Sequence, residues 1–137
     1  MTATIYHNPR CSKSRNALTI LKAAGEDPKV VEYLKTGWTR DTLVTLFTDA
    51  GISPRQAMRK AEAKELGLLG DDVSTNDILQ AMIENPVLVE RPIVQTPKGT
   101  AICRPMSNLL PLLAQPLAGP VMDAKGNVLV DEEGNAL

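Results

Sequence analysis

Two β-prone runs open this chain with a single short helical run between them. Thr2–Tyr6 alternates small and β-prone residues and predicts a first strand, and Lys29–Leu34 (KVVEYL) predicts a second. His7-Asn8-Pro9-Arg10 reads as a loop punctuated by Pro9. From Cys11 or Ser12 to Ala24 the pattern turns helical, with Ala17, Leu18, Ile20, Leu21 and Ala24 at helical spacing and Gly25 as the stop. Residues 2–34 are therefore expected to form a β-α-β unit whose short connection favours a parallel pair.

The middle of the chain reads as helical. Thr39 can cap a helix running to about Ala50, which Gly51 ends, and Ser53-Pro54 is a cap followed by proline at a first helical position. Ala57–Leu69 is rich in Ala, Lys, Glu and Leu, and Ser74 or Thr75 can cap a helix over Asp77–Glu84 ended by Asn85-Pro86. Strand patterns return at Ile93–Thr96 and Ala101–Arg104, around a Pro97-Lys98-Gly99 turn. Ser107 can then cap a final helix to about Ala114, with Pro111 in its first turn, where proline costs little. Asp123-Ala-Lys-Gly-Asn and Asp131-Glu-Glu-Gly-Asn are two similar polar turns around Val128-Leu129-Val130, and the stretch reads as a tail with one short strand.

The order β-α-β, helices, β-β-α predicts an α/β fold with the mixed sheet of a thioredoxin-like domain and a helical insertion between its halves. At 137 residues one domain is expected, over residues 1–114, with the insertion at about 39–85 and a C-terminal tail over 115–137. A net charge of −1 argues against bulk electrostatic binding of nucleic acid, and the four aromatic residues, Tyr6, Tyr33, Trp38 and Phe47, are too few for a base-stacking platform. No stretch approaches the ~20 apolar residues that span a bilayer, and Met1–Arg10 has no apolar signal-peptide core, so no membrane association and a cytoplasmic location are expected. Cys11 and Cys103 are then expected to be free thiols, and with one histidine they cannot complete a tetrahedral Cys/His zinc site without carboxylates, so no metal is expected.

The basic start of the chain gives this frame its chemistry. Before the first acid, Glu26, stand His7, Arg10, Lys13, Arg15 and Lys22. Cys11 falls at the start of the predicted first helix, where unpaired amide N–H groups and the helix dipole stabilise an anion and lower a thiol pKa. The bland alternative is a small buried apolar cysteine. Position 14 is Ser14, so there is no Cys-x-x-Cys couple; position 17 is Ala17, so there is no Cys-x5-Arg phosphatase loop. What remains is one activated thiolate in an anion site, suited to attacking an oxyanion and being rescued by an outside thiol.

His7-Asn8-Pro9-x-Cys11-x-x-Ser14-Arg15-Asn16 after a short strand resembles the signature of the glutaredoxin-coupled arsenate reductase (ArsC) family. The resemblance continues through Gly51-Ile52-Ser53 and Arg59-Lys60, through Glu90-Arg91-Pro92-Ile93-Val94, and through Gly99-Thr100-x-x-Cys103-Arg104-Pro105. It covers about residues 2–114. It implies that Cys11 is the nucleophile forming a covalent adduct with arsenic. It implies that Arg59, Arg91 and Arg104 bind the oxyanion, that His7, Ser14 and Arg15 tune the thiolate, and that Asn8 and Pro92 shape the site, Pro92 after a cis peptide bond. The substrate would be arsenate, no cofactor would be bound, and glutathione and glutaredoxin would be the electron donors, in the service of arsenical resistance. Many members carry Gly-Thr where this chain has Ser12-Lys13, and Lys13 adds a positive charge near the thiol.

Taken singly, these residues have ordinary alternatives. Arg59 beside Lys60 fits a solvated helix face, Arg91 fits a pair with Glu90, and Arg104 fits a surface ion pair. Cys103 reads as a strand residue without a catalytic part, Arg10 as solvent-facing, and Met58, Met82 and Met106 as core filler. Two other functions fit the fold. One is a thioredoxin-fold transcription regulator that binds RNA polymerase, whose usual Cys-x-x-Cys switch is absent here. The other is a glutathione-linked thiol oxidoreductase, which would not need Arg59 or Arg91.

Overall fold

The computed structural model describes residues 3–137, so Thr2, where the first strand was expected to begin, lies outside the described residues. The chain divides into two units. One is made of the residues up to Glu32 together with Arg91–Leu137, the other of Tyr33–Glu90.

The first unit holds a four-stranded sheet, with β1 (Thr4–Tyr6), β2 (Lys29–Val31), β3 (Ile93–Thr96) and β4 (Gly99–Ile102) in the order β2-β1-β3-β4. β1 is parallel to β2, with Thr4 opposite Lys29. It is antiparallel to β3, with Ile5 opposite Val94, and β3 is antiparallel to β4. The β-α-β opening and the mixed sheet are those expected from the sequence. α1 (Ser12–Ala23) connects β1 to β2 and buries Ser14, Ala17, Ile20 and Leu21. The three apolar ones join Ile5, Val94, Cys103, Leu109 and Leu112 in one core. Burial of such aliphatic side chains, about 1.5–3 kcal/mol each, fixes α1 on the sheet and with it the position of Cys11 at its N-cap.

Three boundaries differ from the sequence reading. β2 stops at Val31, and Tyr33–Thr36 turns helical (α2), with the Tyr33 ring stacked 4.9 Å from that of Trp38. β4 begins at Gly99, opposite Thr96, so the turn is only Pro97-Lys98, and Gly99 takes a φ of 150°. The last helix, Met106–Leu112, is a 3-10 helix with Pro111 inside it rather than in its first turn. Proline has no N–H for an i→i−4 bond and pushes the residue before it out of the α region, so a longer α-helix is excluded there.

The stretch after Gln115 forms two short strands where one was expected. β5 (Val121–Met122) and β6 (Val128–Val130) are antiparallel, and Val121, Leu129 and Val130 join the core. The two polar turns share one geometry. Asp123 Oδ1 accepts from the backbone N–H groups of Lys125 and Asn127, each at 2.9 Å. Asp131 Oδ1 accepts from those of Glu133 and Asn135, each at 2.9 Å. Gly126 and Gly134 supply the left-handed residue, at φ values of 84° and 86°.

In the second unit α3 (Arg40–Ala50), α4 (Lys60–Glu65) and α5 (Thr75–Glu84) are followed by a 3-10 turn, Pro86–Leu88. The Thr39 and Ser74 side chains cap α3 and α5 by accepting from the N–H groups of Thr42 and Asp77, and Gly51 ends α3 at a φ of 70°. α4 is much shorter than the helical run expected over Ala57–Leu69. The backbone before it pairs elsewhere: Arg59 N–H donates to Leu88 C=O at 2.7 Å and Glu90 N–H to Ala57 C=O at 2.8 Å, so no helix forms before Lys60. Met58 and Met82 are buried in this unit, and Met106 is partly buried against the core of the other, as filler. Among the described residues no helix is long and apolar enough to cross a membrane.

The burial of β6 has a measurable consequence. Leu129 is nearly fully buried while Val128 is 42% exposed. We expect Leu129→Ala to lower the unfolding free energy by about 2–4 kcal/mol and Val128→Ala to change it by less than about 0.5 kcal/mol. Denaturant midpoints for the two variants check this, and equal small effects would show that β6 is no part of the cooperative core.

Candidate active site

The loop from the end of β1 to the start of α1 is built by hydrogen bonds that the sequence names but does not order. Ser14, fully buried in the first turn of α1, reaches back into that loop. Its Oγ lies 2.6 Å from His7 Nδ1 and accepts from Asn8 N–H at 3.0 Å. Asn8 Oδ1 accepts from Arg10 N–H, and Cys11 N–H donates to Asn8 C=O at 2.9 Å. His7, Asn8 and Ser14 therefore form a buried lock that presents Cys11 as the N-cap of α1, in extended backbone.

The Cys11 thiol is half-buried and free. Burial pushes its pKa up. Against that, the backbone N–H of Ser14, the Arg91 side chain, the backbone N–H of Lys13 and the Arg104 side chain all donate to the sulfur and hold it below its ordinary value. Hydrogen bonds to a charged group are worth roughly 1.5–3 kcal/mol each, so four of them outweigh partial desolvation.

Two arginines, one before β3 and one after β4, reach the sulfur. Arg104 Nη2 donates to Cys11 Sγ at 3.6 Å, while its Nε donates to the backbone carbonyl of Arg91 at 2.6 Å. Asn108, in the 3-10 helix, donates its side-chain amide to the carbonyls of Ile102 and Arg104 and braces the end of β4. Arg91 is buried and precedes a cis bond to Pro92, and the Arg104–Pro105 bond is cis as well. Cys103 N–H donates to Pro92 C=O at 2.8 Å, which ties the two arginine-bearing chain ends together.

The structure thus gathers Cys11, Arg91 and Arg104, with His7, Asn8, Ser14 and Pro92 around them. The Arg15 guanidinium turns toward the loop and donates to Pro9 C=O at 2.8 Å; it is not among the groups that lower the thiol. Burial, with the nearby charges of Arg15 and Lys22 adding to it against Glu32, holds His7 below its ordinary pKa, so it is neutral near pH 7. Arg59 lies in the second unit, at the N-cap of α4, in an ion pair with Glu62. Arg10 is exposed. Cys103 is fully buried in the core and its thiol is pushed up to about 12 by burial. Among the described residues no cluster of three or more His, Cys, Asp or Glu side chains is placed to hold a metal ion.

Sequence reasoning missed Asn108 and Glu62. The i, i+3 spacing of Glu62 from Arg59 carried a signal; the contact of Asn108 with the end of β4 carried none, because it depends on the 3-10 geometry.

A thiol held below its ordinary pKa, with two arginines donating to it, is a place where a nucleophile and an oxyanion can meet. Comparison with known proteins gives the family of the chain. The description of the ArsC family matches residues 6–111. Arsenate reductase ArsI2 of Synechocystis sp. is 49% identical over 133 residues, covering 96% of this chain and 95% of that protein. The arsenate reductase of Escherichia coli strain K12 is 42% identical over 136 residues, covering 98% and 96% respectively. Among solved structures, arsenate reductase from Vibrio cholerae superposes with a TM-score of 0.78 at 38% identity, covering 82% of this chain and 98% of that one.

The two thiols should separate cleanly in their chemistry. We expect iodoacetamide to alkylate Cys11 with an apparent pKa below the ~8.5 of a free cysteine, and Cys103 to stay unmodified until the chain unfolds. Because Arg104 favours the charged form, Arg104→Gln should raise the Cys11 value and slow alkylation at neutral pH. A rate against pH that is identical in the variant would remove Arg104 from the thiolate's environment.

Proposed function

Because this chain belongs to the ArsC family, we propose that it is an arsenate reductase that works through Cys11 and draws its electrons from glutathione and glutaredoxin. The observation that carries the reading is the contact of Arg104 with the Cys11 sulfur, beside the buried guanidinium of Arg91. Arsenate is mostly a dianion near neutral pH and repels a thiolate. Guanidinium groups stay charged, present paired donors to a tetrahedral oxyanion, and offset that repulsion. Arg59 joins them as a third oxyanion ligand on the strength of its family motif. His7 and Ser14 keep the loop in place, and Asn8 and Pro92 shape it.

In this scheme the Cys11 thiolate bonds to arsenic and one oxygen leaves as water. A glutathione sulfur bonds to arsenic next, and a second oxygen leaves as water. A glutaredoxin thiolate then attacks the glutathione sulfur; a disulfide forms, and the electron pair of the broken S–As bond stays on arsenic, which goes from As(V) to As(III). Water replaces the Cys11 sulfur and releases arsenite with the free thiol. The sum is arsenate and two thiols giving arsenite, one disulfide and one water. Outside thiols are required because Ser14 stands where a resolving cysteine would, and Cys103 is buried and protonated. Such donors are plentiful in the reducing cytoplasm, where we place the protein, in arsenical resistance.

Coupled turnover of arsenate with glutathione and glutaredoxin is the direct test. We expect Cys11→Ser to abolish it and Arg91→Ala or Arg104→Ala to lower kcat/KM about 10²–10³-fold. Native protein that shows no turnover with both donors present would overturn the reading. Phosphate, of the same shape and charge, should inhibit competitively against arsenate and leave kcat unchanged; a rate unaffected by large excess would count against the shared oxyanion pocket.

A further inference from the structure

A second cleft, of about 360 Å³, opens on the outward side of α1 and begins at Ser12, the residue after the nucleophile. It lies between α1, which contributes Arg15, Asn16 and Thr19, and the β5–β6 turn, which contributes Asp123, Lys125 and Asn127. None of Cys11, Arg91 and Arg104 lines it, so it is distinct from the cluster around the sulfur while starting at the residue that follows Cys11 in the chain. A reaction that brings an oxyanion and then a small thiol to one cysteine needs two such places.

The lining has a definite chemical character. Arg15 and Lys125 are cations and Asp123 is an anion, with two amides and two hydroxyls beside them. One N–H of Arg15 donates to Pro9 C=O, and a guanidinium carries five, which leaves capacity for a carboxylate. Hydrogen bonds close the β5–β6 turn: Asp123 accepts from Asn127 Nδ2 at 3.0 Å as well as from two backbone N–H groups. From Ser12 to Thr19 α1 rises about 10 Å, close to the ~10 Å span of an extended tripeptide.

The duplicated turn shows that the charge is not there for folding. Glu133 occupies in the second turn the place that Lys125 holds in the first, with the same Asp-to-backbone hydrogen bond at 2.9 Å. The turn geometry accepts either sign of charge. The copy that lines the cleft with α1 carries the lysine, and the other does not line it.

We propose that this cleft binds the small thiol that turns over the Cys11 adduct: a short zwitterionic peptide thiol whose two carboxylates meet Arg15 and Lys125 and whose ammonium meets Asp123. The assignment rests on the reading of Cys11 as the arsenic-bearing nucleophile, and glutathione has the required charges and length. Held there, its sulfur enters from the α1 side while the arginines hold the arsenic oxygens from the other. The bond it forms is the second S–As bond described above, with water as the leaving group.

The full chain tests this in two ways. Lys125→Glu, which copies the residue of the second turn, should raise KM for glutathione about tenfold and leave KM for arsenate and the rate of Cys11 alkylation within about twofold of native. An unchanged KM for glutathione overturns the assignment. S-methylglutathione, which cannot react, should shift the amide resonances of Arg15–Thr19 and Asp123–Asn127 at millimolar concentration in the native protein and not in Lys125→Glu. No shift in the native protein also overturns it. Shifts in a native protein that fails to reduce arsenate would support the cleft as a peptide-thiol site and remove the arsenate reading alone.

Discussion

Two backbone amides and two guanidinium groups converge on one sulfur, and the unit that carries Cys11 is arranged around that convergence. Negative charge on Cys11 is favoured by two amides of the first turn of α1 and by two guanidinium groups from distant parts of the sequence. Each support comes from a different level of the fold. The amides come with the helix N-terminus. Arg91 and Arg104 come from the start of β3 and the end of β4, which antiparallel pairing brings side by side. The apolar core beneath α1 keeps the amides and the guanidiniums in one place.

Much of this was legible in the sequence because local rules decide it. The β-α-β opening follows from periodicity and from the shortness of the connection. The caps at Thr39 and Ser74 and the stop at Gly51 follow from side-chain chemistry at fixed positions. Cys11 at a helix start, with cations nearby, already indicated an activated thiol. The elements that were misread are those where a partner far along the chain overrides local preference. The helix expected from Ala57 is shortened because Arg59 and Ala57 pair with the backbone at Leu88 and Glu90. The ribbon after residue 120 looked like tail because its turns are polar, yet Val121, Leu129 and Val130 are buried in the core. The site followed the same division. The resemblance implied that Arg15 tunes the thiolate, but Arg15 bonds to the Pro9 carbonyl, while Arg104, 93 positions from Cys11, reaches the sulfur.

The two cysteines show how far environment sets the character of one functional group. Both carry the same thiol, and both lie in the same unit. Cys103 sits among aliphatic side chains and is driven up to about 12 by burial. Cys11 is partly desolvated too, but its donors reverse the outcome. Placing a cysteine near a helix start is therefore only half the device. The other half is the buried His7–Ser14 contact and the Asn8 turn, which aim the loop so that the sulfur meets the amides.

Arg104 performs two tasks with one side chain. Its Nε is fixed to the Arg91 carbonyl and its Nη2 reaches the Cys11 sulfur, so the anchor and the working end are separate atoms of one rigid plane. A lysine keeps the charge but has a single terminal nitrogen. It can lean on the carbonyl or extend to the sulfur, and in either posture the other contact is empty. Equal charge is thus no measure of interchangeability at this position: holding the carbonyl and the sulfur at once takes a forked cation.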